Sequence, residues 1–168
     1  MARNQTATFH YRVGDFTPAA TATDVLSLNG KTGVTVEVTK MTISGTATAA
    51  AIYDLYLTKR IVANTLGTFT NPVPTPSDSV DVAGAMLYLY TANPTIGLGG
   101  AALEGDKLYL PASATPASAP SRIEYTWGTR GDQGPILKSP ADSVTINFNG
   151  QAVPAGTSLY LSIEWIEY

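Results

Sequence analysis

Cysteine is absent from the 168 residues, so no disulfide and no thiolate metal site can form, and stability has to come from packing or assembly. Charge is scarce. Charged residues make up 14% of the chain, against about 25% in a typical soluble domain. The 10 basic and 13 acidic residues, net −3, are scattered singly. No run of Lys or Arg can follow a phosphate backbone, which argues against nucleic-acid binding. A membrane span is not expected either, because no stretch approaches the roughly 18 consecutive apolar residues it requires. The opening segment, "MARNQTATFHYRV", lacks an apolar run and reads as a chain without a signal peptide, made in a cytoplasm. There is one histidine, His10, so a histidine-rich metal site is excluded.

What is present alternates. Apolar residues recur with period two between turn-rich segments, and almost nothing has helical period, so the chain reads as all-β. Phe9, Tyr11 and Val13 alternate with His10 and Arg12; Leu26 and Leu28 precede an Asn-Gly turn signal. In "GVTVEVTKMTISG", Val34, Val36 and Val38 share one parity while Met41 and Ile43 have the other. A bulge or bend is therefore expected near Thr39 and Lys40. Further strands are read in "AIYDLYLTKR", "GAMLYLY", "DKLYLPA" (stopped by Pro111), "SRIEYTWGTR", "DSVTINFNG" and "SLYLSIEWIEY". About eight or nine short strands in one domain imply a two-sheet antiparallel sandwich, jelly-roll-like. The expected boundaries are a flexible N-terminal arm over residues 1–8 and a single β-sandwich domain over 9–168. Three segments read as surface loops: "TFTNPVPTPSDS", whose Pro72, Pro74 and Pro76 bar a strand or helix, "PASATPASAP" at 111–120, and "TANPTIGLGG".

The last strand carries a puzzle. Leu159, Leu161, Ile163 and Trp165 form an ordinary core-facing row, but the opposite side holds Tyr160, Ser162, Glu164, Ile166 and Tyr168. Aromatic and β-branched residues stand where a free surface strand is usually charged. Outer faces with Tyr56, Tyr88 and Tyr90 repeat the pattern.

Chemistry is thin. His10 needs a serine and a carboxylate from elsewhere to act as a base, and no Gly-x-Ser-x-Gly elbow, Walker loop or dinucleotide fingerprint occurs. Asp54, Glu124 and Glu164 lie on strands and would serve a glycosidase only if two of them converged. Asp78, Asp81, Glu104 and Asp106 sit near loops, without the spacing of a calcium loop. Arg130-Gly131-Asp132 matches an integrin-binding tripeptide but reads as a turn. No enzyme, cofactor or metal site is assigned.

The order "ISGTATAAAIYDLYLTKR", "PVPTPSDS", "LYLYTANPTIG", "KLYLPA", "YTWGTRGDQGPILKSPADSVTINFNG" and "SLYLSIEWIEY" resembles small all-β head-associated (capsid decoration or cement) proteins of tailed bacteriophages and prophages. The resemblance covers about residues 40–168 and is one of pattern. It implies a structural virion protein, synthesised in the host bacterial cytoplasm. Such a protein binds the capsid exterior through the major capsid protein and stabilises the head, as a homotrimer. Tyr56, Tyr88, Tyr90, Tyr160, Ile166 and Tyr168 are the expected subunit or capsid contacts. With so few charges, assembly is expected to depend weakly on salt. The competing reading is a carbohydrate- or receptor-binding module of a phage tail or fibre, with exposed Tyr and Trp stacking on sugar rings and Asn147 and Asn149 donating hydrogen bonds.

Overall fold

In the computed structural model, residues 6–114, 119–128 and 131–168 are described, and every regular element among them is a β-strand. The strands are β1 (Ala7–Phe16), β2 (Thr21–Asn29), β3 (Val36–Thr46), β4 (Ala51–Arg60), β5 (Thr68–Thr70), β6 (Thr75–Pro76), β7 (Met86–Ala92), β8 (Gly99–Leu110), β9 (Ile123–Thr126), β10 (Ile136–Leu137), β11 (Ser143–Ala152) and β12 (Ser158–Glu167). The first sheet runs β10-β3-β12-β1-β6, with β9 also on β3; the second runs β5-β7-β2-β11-β4-β8. All ladders between these strands are antiparallel, and the two sheets close over one core, as a sandwich requires.

Alternation explains the core. Leu159, Leu161, Ile163 and Trp165 of β12 are fully buried, opposite inward rows from β2, β4 and β11 that include Leu26, Leu28, Leu55, Leu57, Ile146 and Phe148. The expected bulge is present. Lys40 pairs with Glu164 but Val38 pairs with Trp165, so Thr39 is the extra residue that lets Val36, Val38, Met41 and Ile43 all face inward despite their mixed parity.

Several expectations are corrected. Twelve strands replace eight or nine, because β5, β6 and β10 have only two or three residues each; the other nine are the longer ones. The proline-rich segment does enter the sheets. Thr75 and Pro76 pair with His10 and Phe9 at an edge, where a residue without an N–H is tolerated. The strand expected at "DKLYLPA" starts at Gly99, since its first half pairs with β4 while remaining exposed; backbone pairing there leaves no burial signal. β1 begins at Ala7, so Ala7 and Thr8 are paired in the sheet, with Glu167 and Ile166.

After β2 the chain turns at Lys31–Val34, with Val34 N donating to Lys31 O at 3.3 Å and Gly33 at φ +81°. No atom crowds a Cβ built on Gly33. Gly33→Ala is therefore expected to cost about 1 kcal/mol through left-handed backbone strain alone, read as a lower urea midpoint at unchanged m-value.

The two connections 61–67 and 93–98 form a strap over the outer face of the second sheet. Ile61 and Val62 amides donate to Leu98 O at 2.9 and 3.1 Å, and Thr65 and Thr95 exchange backbone bonds. Gly97 permits this approach, because a Cβ there would lie 1.8 Å from the Val62 carbonyl oxygen.

Candidate contact faces and a polar recess

Under the strap lies a buried polar cluster. The Arg60 guanidinium at the end of β4 donates from Nε and Nη2 to the two Asp24 oxygens of β2, both at 2.7 Å. Asn64 of the strap and Asn147 of β11 each donate a side-chain amide to the same carboxylate. The cluster also grips the strap backbone, since Arg60 Nη1 donates to Gly97 O at 3.3 Å and Gly97 N to Asn64 Oδ1 at 2.9 Å. Asp24 and Arg60 are both buried, so the pair forms a charge-satisfied pin between sheet and strap.

Beside it stands an aromatic trio. Phe69 meets Tyr88 edge-on with ring centroids 5.0 Å apart and Tyr90 at 5.8 Å, and the two tyrosines stack at 6.3 Å. Tyr90 is only 4% exposed, and burial pushes its phenol pKa up. Its cover comes from this chain, so it is not free to meet a partner. Tyr88 is half-buried, and so is Tyr56, whose ring lies beside Gly105 of β8.

On the opposite side of the sandwich, the outer face of the first sheet is a polar ladder. Cross-strand register sets Lys40 and His10 on either side of Glu164, and Thr42 and Arg12 on either side of Ser162; Glu124 of β9 faces Thr42. Glu124 takes Lys40 at 3.1 Å and Arg122 at 2.6 Å, while Glu164 takes Arg12 at 3.5 Å and His10 at 3.7 Å. The bond from Lys40, with a lesser one from Arg122, holds the Glu124 carboxyl below its ordinary pKa. Arg12, Lys40, Arg122 and Glu164 line a recess of about 200 Å³ together with Thr42, Ser44, Tyr160 and Ser162.

The six expected contact residues therefore do not share a face. Tyr56, Tyr88 and Tyr90 belong to the second sheet, whereas Tyr160, Ile166 and Tyr168 belong to the β12 side of the first. Tyr160 is 39% exposed and Tyr168 51%; Ile166 is half-buried, and the Tyr168 hydroxyl donates to Glu37 at 3.2 Å. The sugar-binding set is also dispersed: Asn147 is buried in the Asp24 cluster, Trp165 is in the core, and Trp127 is half-buried against Tyr125, with ring centroids 6.2 Å apart.

The remaining candidates separate as well. His10 Nε2 contacts Ser77 Oγ at 2.9 Å, on the exposed surface. Asp54 pairs with Lys107 on the second sheet, away from Glu124 and Glu164. Glu104 and Asp106 lie on β8 near Tyr125, whose phenol pKa rises chiefly through burial and further through Asp106, while Asp78 accepts from the Val80 amide in its own turn. Among the described residues no three carboxylate or imidazole groups gather to hold a metal ion. Gly131 has φ +78°, and Gly128 N donates to Asp132 at its carbonyl and carboxylate, so this part of the tripeptide is a turn; Arg130 lies outside the described residues.

Neither the Asp24 pin nor the recess was picked out from the sequence. A lone Asp inside the apolar strand "TDVLSLNG" was the available hint for the first. The recess had none, because its side chains come from four strands or their approaches and meet only through register. The comparisons with known proteins add no relative: no protein-family model, no curated protein and no solved structure matches the chain.

Proposed function

We propose that this protein is a structural subunit of a tailed-phage particle, a decoration or cement protein that binds the capsid exterior as a homotrimer and stabilises the head. One observation carries the reading: the strap and the proline-rich segment make an uncharged, apolar outer surface. Residues 61–77 and 82–103 contain no charged side chain. Within them Leu66, Leu98, Val73 and Val82 are between 65% and 89% exposed, and Ile61, Val62 and Ile96 are exposed too. Exposed apolar groups held on a well-tied loop framework suit a surface that a partner covers, since monomeric proteins seldom leave such patches open. The strand order supports the same reading. With β5, β6, β7 and β10 set aside, the chain crosses between β1-β12-β3-β9 and β2-β11-β4-β8 at every step but that from β4 to β8, an order compatible with the jelly rolls common in capsid and lectin domains.

On this reading the contact residues shift from the tyrosines of the strands to the strap, with Leu66 and Leu98 at its centre. Several modest apolar contacts, repeated by trimeric valency, give high occupancy without ion pairs. The test is the copy number in purified particles of the source virus. Hundreds of copies per particle, lost in Leu66→Asp or Leu98→Asp, are expected; absence from the particle overturns the proposal, and a few copies move the protein to the tail.

A further inference from the structure

The geometry points to the recess on the outer face of the first sheet as a binding site for a single acidic sugar unit, one pyranose ring bearing a carboxylate. The inference does not rest on the particle reading, and it concerns the face opposite the strap.

Three features carry it. The first is charge. Arg12, Lys40 and Arg122 supply three cations and Glu124 and Glu164 two carboxylates, which leaves one positive charge over in a chain of net charge −3. Both guanidinium groups are more than 60% exposed, standing where a carboxylate can reach them, and arginine pairs with carboxylates through two parallel bonds.

The second is an unmet hydrogen-bonding group. Thr42 lines the recess and is 2% exposed, and its Oγ1 has no hydrogen-bond partner among the described residues. A buried hydroxyl without a partner costs stability, and a ligand seated beneath this cluster of cations would supply the missing bond. Ser44 and Ser162 add hydroxyls to the same lining, and Glu164 adds an acceptor for a sugar O–H.

The third is shape and apolar surface. A volume of about 200 Å³ lies below the range of about 300–1,000 Å³ that holds drug-sized ligands, which limits the occupant to about one ring. Tyr160 at the wall offers an aromatic surface to the C–H face of that ring. A free inorganic anion can use the arginines and the hydroxyls but has no C–H face to set against the tyrosine.

Glu124 gives the proposal a sign that a general surface charge effect lacks. Its carboxylate already occupies Lys40 and Arg122, so it competes with the ligand for both. Removing it should strengthen binding.

The experiment is a titration of the full chain, followed by NMR, with glucuronate, N-acetylneuraminate, glucose and inorganic phosphate. Saturable binding of at least one of the two sugar acids is expected, with glucose about tenfold weaker or more, because a charge-assisted pair is lost. Arg122→Gln should weaken the acid by about tenfold on the same grounds, and Tyr160→Ala should weaken it as well. Both positions are exposed, and neither side chain belongs to the core. Thr42→Val should lower affinity while leaving the melting temperature unchanged or raised, since it removes an unpaired buried hydroxyl. Glu124→Gln should raise affinity. Binding of glucose as tight as that of the acids overturns the charge argument, and equal displacement by phosphate reduces the site to a generic anion site and overturns the sugar. No saturable binding by either acid, or no effect of Arg122→Gln, overturns the proposal entirely.

Discussion

Replacing Asp24 by alanine should cost about 3–5 kcal/mol, because it leaves the Arg60 guanidinium buried without its counter-charge. At roughly 2–4 °C per kcal/mol for a chain of this size, the melting temperature should fall by about 6–20 °C. Two amide donors, from Asn64 and Asn147, lose their acceptor at the same time, so the loss exceeds that of an ordinary surface pair. The damage should be local before it is global. Amide protons of Ile61, Val62 and Gly97 are expected to exchange faster in the variant than those of β12, since the pin ties the strap and not the core. Adding Arg60→Met to Asp24→Ala should recover part of the stability, because it removes the uncompensated buried charge while the Asn64 and Asn147 amides still lack their acceptor. A loss below about 1 kcal/mol for Asp24→Ala would mean that water reaches the pair and the strap is not pinned by it.

The second large effect is expected at Trp165. It is fully buried, stacked on Phe9 with ring centroids 5.7 Å apart, and its Nε1 donates to Glu167 Oε1 at 2.9 Å. That carboxylate, itself buried, also accepts the amides of Gly84 at 2.7 Å and Ala85 at 3.0 Å. The indole therefore fills the core and helps orient the group that ties the chain leading into β7. Trp165→Ala should cost about 3–5 kcal/mol through lost burial and the cavity left behind. Trp165→Phe keeps most of the volume and loses the donor, so its cost should be smaller. A double-mutant cycle with Glu167→Gln separates the two contributions: a coupling above about 0.5 kcal/mol is expected for residues sharing a hydrogen bond. Denaturant midpoints at constant m-value are the measurement, and additive losses would show that Trp165 acts by packing alone.

Much of the sandwich was legible because strand burial is written locally. Alternation at Leu159, Leu161, Ile163 and Trp165 needs no knowledge of the partner sheet, and the parity change between Val38 and Met41 announced the bulge at Thr39. Segments whose pairing does not bury side chains left no such trace. The first half of β8 and the edge pair Thr75–Pro76 are strands by hydrogen bonding only, so apolar periodicity passed over them. Of the outer-face tyrosines only Tyr90 is buried, and what covers it is Phe69 and the strap of the same chain.

The sequence by itself determined the all-β class, the inward rows of the long strands and the scarcity of charge, since composition and period two act over neighbouring residues. Only the tertiary structure decided which polar residues meet. Asp24 finds Arg60 and Asn147, and Thr42 lies among Arg12, Lys40 and Arg122, because antiparallel register brings residues far apart in sequence onto adjacent strands. A one-residue change of register would turn every one of those side chains to the other face. The strap and the recess are consequences of pairing, and pairing is a long-range property that local pattern does not encode.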